Sequence, residues 1–231
     1  MNNLIPSVLI SLGLSLGGFL VGQGFVRMKQ LDQIVEVRGL DEKLVEANEA
    51  TWDISFSLSG NNLQDLSTKV AQKQDALKTY LSNQGFSRDE LQPTALTTTD
   101  NHANHYGNKL PADRYTVRAK INVGTKQVKK LVEIYENSNQ FPLEGLVRDQ
   151  SSVQYYFTDL NSVKPEMLKN ATSSAREAAE AFARDSGSRL GGIKSATQGL
   201  FSITSPYADW NDASSRMKKV RVVTRVTYFL E

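Results

Sequence analysis

Apolar residues recur along this chain with two different periods, and one uninterrupted run precedes both. From Leu4 to Val26 the chain passes 23 residues without a charged side chain. As a helix rising 1.5 Å per residue, such a run reaches roughly 35 Å, enough to cross a hydrocarbon layer of ~30 Å with some tilt. After Lys29 the pattern becomes that of a water-soluble domain.

Period two dominates the soluble part. Gln33–Gly39 predicts a strand, Arg38–Lys43 a turn, and Leu44–Glu46 its resumption. Trp52, Ile54, Phe56 and Leu58 alternate with Asp53, Ser55, Ser57 and Ser59, which marks a strand with one wet face. The same alternation runs through Tyr115, Val117, Ala119, Ile121 and Val123, and again through Val220, Val222, Thr224, Val226, Tyr228 and Leu230. Leu91–Thr99, weakened by Pro93, Val147–Thr158 and Ile193–Ile203 complete the predicted strands.

Helical spacing appears three times. Leu63, Leu66, Val70, Leu77 and Leu81 follow the cap candidates Asn61 and Asn62 and end before Gly85. Val128, Leu131, Val132 and Tyr135 predict a shorter helix. The third carries Leu168, Ala171, Ala175, Ala178, Ala179, Phe182 and Ala183, with Pro165 in its first turn and Leu190-Gly191-Gly192 breaking the chain after it. Strands outnumber helices and the two are mixed, so the expected class is α+β: an N-terminal transmembrane helix, then several antiparallel strands with three main helices. The expected domains are an anchor, residues 1–29, and one α+β domain, residues 30–231.

An uncleaved anchor competes with a secretory signal and with a buried core helix. The region before the run, Met1-Asn2-Asn3, has no Lys or Arg, and the run exceeds the ~7–15 residues of a signal core. Cleavage after Gly24 is the alternative for a signal. Within the run, Ser7, Ser11, Ser15, Gly18 and Gly22 form one row of small residues and Gly13 with Gly17 a second. Such spacing lets helix backbones approach closely in lipid, so Ser11, Gly13, Ser15, Gly17, Gly18 and Gly22 are the candidate contacts between anchors. Arg27 and Lys29 behind the span are a weak vote for a cytoplasmic domain, since long domains translocate largely regardless of charge.

Those two residues also supply the whole formal excess of +2. A neutral domain lacks the electrostatic footprint of a nucleic-acid binder, and Arg216, Lys218, Lys219, Arg221 and Arg225 read as the wet side of a strand. With no cysteine, disulfides, thiolate nucleophiles and zinc knuckles are excluded.

Three stretches resemble the SIMPL-domain family of bacterial envelope proteins. Val35-Glu-Val-Arg-Gly39 with Glu46-Ala-Asn-Glu-Ala-Thr-Trp-Asp-Ile-Ser-Phe56 is similar to that family's opening strands. The amphipathic helix ending near Gly85, followed by Asp89-Glu-Leu-Gln, is similar to its next element. Ala175-Arg-Glu-Ala-Ala-Glu-Ala-Phe-Ala183 with Leu190-Gly191 resembles its Ala-rich helix and break. The likeness spans about residues 33–231. It implies a periplasmic or membrane-facing α+β domain that assembles into homo-oligomers, and it carries over no catalytic residue. Many relatives look secreted with a cleaved signal, which this chain departs from by keeping its anchor.

Catalytic signatures are sparse. His102 and His105, in Asp100-Asn-His-Ala-Asn-His105-Tyr, have H-x-x-H spacing but no third strong ligand, and are expected to be dispensable loop residues. No G-x-S-x-G, P-loop or dinucleotide fingerprint is present. Asp41/Glu42 and Asp89/Glu90 are expected in turns or caps, and Tyr155-Tyr156-Phe157 combines core positions with a possible stacking patch. No catalytic residue, metal ligand or cofactor is therefore assigned. The expected protein is a non-enzymatic, oligomeric scaffold or stress-protective factor of the bacterial envelope. It would be single-pass in the inner membrane with its domain in the periplasm, and its partners would be itself and the bilayer through residues 4–26. An oligomer enclosing a compartment or pore is the alternative, and an envelope hydrolase or metal enzyme a third.

Overall fold

The computed structural model describes residues 12–23, 33–103, 109–207 and 213–231. These form an α+β fold with antiparallel sheets. Helix α1 covers residues 12–23. Strands β1 (Ile34–Glu46) and β2 (Glu49–Gly60) precede α2 (Leu63–Asn83), and β3 (Leu91–Pro93), β4 (Thr97–Asp100) and β5 (Tyr115–Thr125) follow it. Then come α3 (Val128–Glu136), β6 (Val147–Tyr156), α4 (Leu160–Asp185), β7 (Leu190–Gln198), β8 (Ser202–Thr204) and β9 (Met217–Leu230). The chain divides into two compact units. One holds the chain up to Lys43 with Asn161–Ser202 and Val220–Glu231, and the other holds Leu44–Leu160 with Ile203–Lys219.

In the first unit the sheet order is β1-β9-β7, with β8 also on β9. Strand β1 runs antiparallel to β9: Gln33 O accepts from Leu230 N, Glu36 meets Arg225 and Glu42 meets Arg221. Its inner face places Val35 and Val37 with Val226 and Tyr228 against Ala175 and Ala179 of α4. The buried positions of α4 are Val163, Met167, Ala171, Ala175, Ala179 and Ala183, one every fourth residue. An i±4 row is inclined to the helix axis, which suits a helix lying across a twisted sheet. Small residues bring the two backbones together. A Cβ on Gly39 would stand 1.8 Å from the Ala171 carbonyl oxygen and 2.4 Å from the Ala175 nitrogen, so only glycine fits there.

This contact corrects the reading of Arg38–Lys43 as a turn. The segment is continuous strand in β1, with Gly39 used for close approach rather than bending. Its charges fall on both faces: Glu42 on the outer face pairs with Arg221 at 3.2 Å, and Lys43 on the α4 side pairs with Glu166 at 2.6 Å. Three further readings change on α4 and beyond. The helix begins at Leu160, a turn earlier than expected, so Pro165 is an interior residue. Phe182 and Ala178 lie off the buried row, Phe182 being 62 % exposed. Gly191 and Gly192 lie inside β7, where the pairing register shifts twice against β9 instead of breaking.

In the second unit β3, β5, β2 and β6 lie in that order, with β4 also on β5. Strand β2 pairs antiparallel along its length with β5, from Ala50↔Thr125 to Gly60↔Tyr115, and with β6 on its other side. Alternation sends Trp52, Ile54 and Phe56 into a core with Val117, Ile121 and Val123, closed by α2 and α3. The Trp52 indole nitrogen donates to Ser151 at 2.8 Å, so the largest core side chain keeps its polar atom satisfied. Helix α2 starts at Asn62, whose side chain accepts from Asp65 N. It stops in a Schellman arrangement: Phe86 N donates to Leu81 O, Gly85 N to Ser82 O, and Gly85 takes φ +96.

Pro93 ends β3 opposite Ile121, and β4 resumes at Thr97 opposite Arg118 with its register shifted by one residue, so the predicted Leu91–Thr99 strand is two short edge strands. In α3 the third buried residue is Ile134, while Tyr135 stands at the margin with its ring edge-on to Trp52 at 5.5 Å.

Candidate functional site

The second unit carries an open groove of about 610 Å³ lined mostly by polar residues. Its walls come from the start of β2 (Glu49, Thr51), the end of β5 (Gly124, Thr125), Glu90 before β3 and Tyr156 at the end of β6. The sequence builds it through local caps. Ser87-Arg88-Asp89-Glu90 is a capping box in which Glu90 accepts from Ser87 N at 2.7 Å. The other carboxylate oxygen accepts from the buried Thr125 hydroxyl, which in turn accepts from Gln127 N at 2.9 Å at the start of α3.

Burial pushes the Glu90 carboxyl upward, but the bonds from Thr125 and Ser87, with Gln127, outweigh it and hold Glu90 below the usual carboxylate range. Glu90 is therefore ionised at neutral pH. All its donors are neutral, and no described Lys or Arg pairs with it, whereas Glu49 across the groove has Lys126 at 3.8 Å. Gly124 forms an open floor, since a Cβ there would meet nothing within 4 Å. The Tyr156 ring is 39 % exposed, with its hydroxyl donating to Gln154.

The sequence pattern left Asp89/Glu90 in a turn or cap and did not single Glu90 out; the structure makes Glu90 part of a capping box. The S-x-x-E spacing was its available signal. Asp41 and Glu42, expected in a turn, are strand residues. Tyr155 is half-buried against the core, and burial is the main cause raising its hydroxyl pKa. Tyr156, its neighbour on the other face, lines the groove.

The histidines are not brought into this groove. His102 sits in the turn after β4, with its Nε2 2.9 Å from the Pro111 carbonyl oxygen and its backbone N donating to Asp100. A fork of two bonds from Arg114, Nε and Nη2 each at 3.1 Å, is the main reason the Asp100 carboxyl is lowered. His105 lies outside the described residues. Among the described residues no group of three or more His, Asp or Glu could hold a metal ion.

Of the anchor positions, Ser11 lies outside the described residues, while Gly13, Ser15, Gly17, Gly18 and Gly22 all fall on α1. A Cβ at any of the four glycines would meet nothing within 4 Å. Leu12, Leu14, Leu16, Phe19, Leu20 and Val21 of the same helix are each at least 60 % exposed. Among the described residues no helix is long and apolar enough to cross a membrane, and the remainder of the 4–26 run lies outside them.

A family model matches most of the chain. The SIMPL model, described as a protein of unknown function (DUF541), covers residues 35–228, and the chain belongs to this family. No curated protein matches the chain.

Proposed function

We propose that this SIMPL protein is a non-enzymatic, membrane-anchored envelope protein that works as a homo-oligomer in a scaffold or stress-protective role. Residues 4–26 cross the bacterial inner membrane once and the domain from residue 30 onward lies in the periplasm. The observation that carries this reading is α1. Six large apolar side chains are exposed on it, within a 23-residue run that has no charge. Lipid is the solvent that covers such a helix without a protein partner. The glycine rows then offer a second copy's helix a close approach.

Two measurements test this. Intact mass with protease protection on spheroplasts should find the run attached and the domain accessible from the periplasmic side. A mature N-terminus at Phe25, or a protected domain, overturns the topology. Light scattering on the full-length protein in detergent and on a truncated protein starting at Gln30 should show assembly. If both are monomeric at micromolar concentration, the oligomer is wrong. If only the full-length protein assembles, the anchor carries the contact, and Gly17→Ile with Gly18→Ile should dissociate it by holding the helix backbones apart.

A further inference from the structure

We propose that the groove beside Glu90 is a binding site for a small organic ammonium cation of the polyamine class. Three features of the groove converge on that chemistry. First, its charges do not balance. Glu49 and Lys126 stand 3.8 Å apart and offset each other, which leaves the Glu90 carboxylate as the excess charge. Thr125 and Ser87 hold that carboxylate by hydrogen bonding alone, so the fold keeps a fixed negative charge at the groove wall with no Lys or Arg among the described residues paired to it. Second, the floor is open. Gly124 sits within the regular pairing of β5 with β2, without a positive φ, and nothing stands over it. Neither backbone conformation nor packing requires glycine there. A glycine in a strand interior weakens the strand, and close approach of a ligand to the backbone is one of its recognised uses. Third, the wall opposite offers the exposed ring of Tyr156, held by its hydroxyl bond to Gln154. A fixed carboxylate with an aromatic face is the donor-seeking, electron-rich lining that an alkylammonium group satisfies. The volume, about 610 Å³, lies within the range of small-ligand sites.

The adjoining groove has the opposite balance, because its Glu46 is paired with Arg216 and Lys129 and Lys130 stand in its lining. It sets the direction of the control, because an anion would choose that side. Binding here is independent of anchoring and assembly, so either reading can fail without the other.

The test is calorimetric titration of the intact protein in detergent with putrescine and spermidine, and in parallel with inorganic phosphate and glucose. Both amines should bind with Kd of roughly 0.1–10 mM, and more weakly as salt is raised. Glu90→Gln should weaken them about tenfold, and Tyr156→Leu about threefold. Glu90→Gln also touches the cap, so Gly124→Leu provides the second variant. It adds a side chain over the floor, where a Cβ meets nothing within 4 Å, and should abolish amine binding with the circular dichroism spectrum unchanged. No saturable heat with either amine at about 10 mM overturns the site. So do glucose binding, phosphate binding that competes with the amines, or amine binding that survives Gly124→Leu in folded protein.

Discussion

The two compact units solve the packing of helix on sheet in opposite ways. In the first, the helix–sheet contact is built from the smallest side chains: Gly39 on β1 faces Ala171 and Ala175 of α4, and the backbones themselves come together. In the second, the space between sheet and helices is filled by the largest: Trp52, Phe56, Leu77, Leu81, Ile121 and Leu131 are fully buried. One arrangement is limited by room and the other by volume. The contact at Gly39 has nothing to lose by truncation and cannot accept an added methyl, while the core of the second unit tolerates rearrangement but not removal.

The most direct way to break that contrast is to remove volume from the second unit. Trp52→Ala deletes a buried indole and leaves Ser151 without its donor, and should cost about 3–5 kcal/mol. Chemical denaturation followed by far-UV circular dichroism measures it. A loss below about 1 kcal/mol would show that the aromatic core collapses onto the vacancy. Adding a single methyl to the first unit is the converse. Gly39→Ala places a carbon 1.8 Å from the Ala171 carbonyl oxygen, which only a shift of α4 relieves, and should cost about 3 kcal/mol, at the upper end of overpacking. Gly124→Ala, on a strand glycine with open space above it, is the matched control and should be within about 0.5 kcal/mol of neutral. Equal costs for the two glycines would remove the distinction.

The smallest effect sharpens the comparison on its polar side. Glu90 titrates below its unfolded value because its folded form is hydrogen-bonded. Its contribution is thus present above the unfolded pKa of about 4.3 and is lost as pH falls through the lower folded value. Glu90→Gln should lower stability by about 1 kcal/mol at pH 7 and leave little difference from the parent at acid pH. Paired melting curves across that window check it. A difference that grows as pH falls has the wrong sign and would remove Glu90 from this role.

Much of the fold was legible because its strands are half-buried. Alternation in β2, β5 and β9 states both the element and its inner face, and Asn62 and Gly85 bracket α2 at the two ends where backbone groups need caps. Misreadings clustered where a residue serves a distant partner. Gly39 resembled a turn because glycine has that use locally, and its real reason is a helix more than 130 positions further along the chain. Phe182 looked like core because its neighbours at helical spacing are apolar, but the inclined i±4 row passes beside it. The groove was less legible still. Glu90 could be read as a cap from its spacing to Ser87, but its companions Glu49, Gly124 and Tyr156 come from three strands with no common motif.

By itself the sequence determined what depends on neighbours along the chain: periodicity, caps, the charge-free run and the order of elements that makes this a SIMPL protein. Pairing was decided elsewhere. Strands β1 and β2 are separated only by Ala47 and Asn48, and a hairpin would be the local expectation, yet they enter different sheets. At the junction Ala47 N donates to Arg216 O and Asn48 N to Tyr156 O, each strand taking a partner over 100 residues away. Backbone hydrogen-bonding groups are the same at every residue, so alternation fixes which face a strand buries without naming the strand beside it. The tertiary structure makes that choice, because only the assembled cores decide which edge is covered and which pairing buries the apolar face.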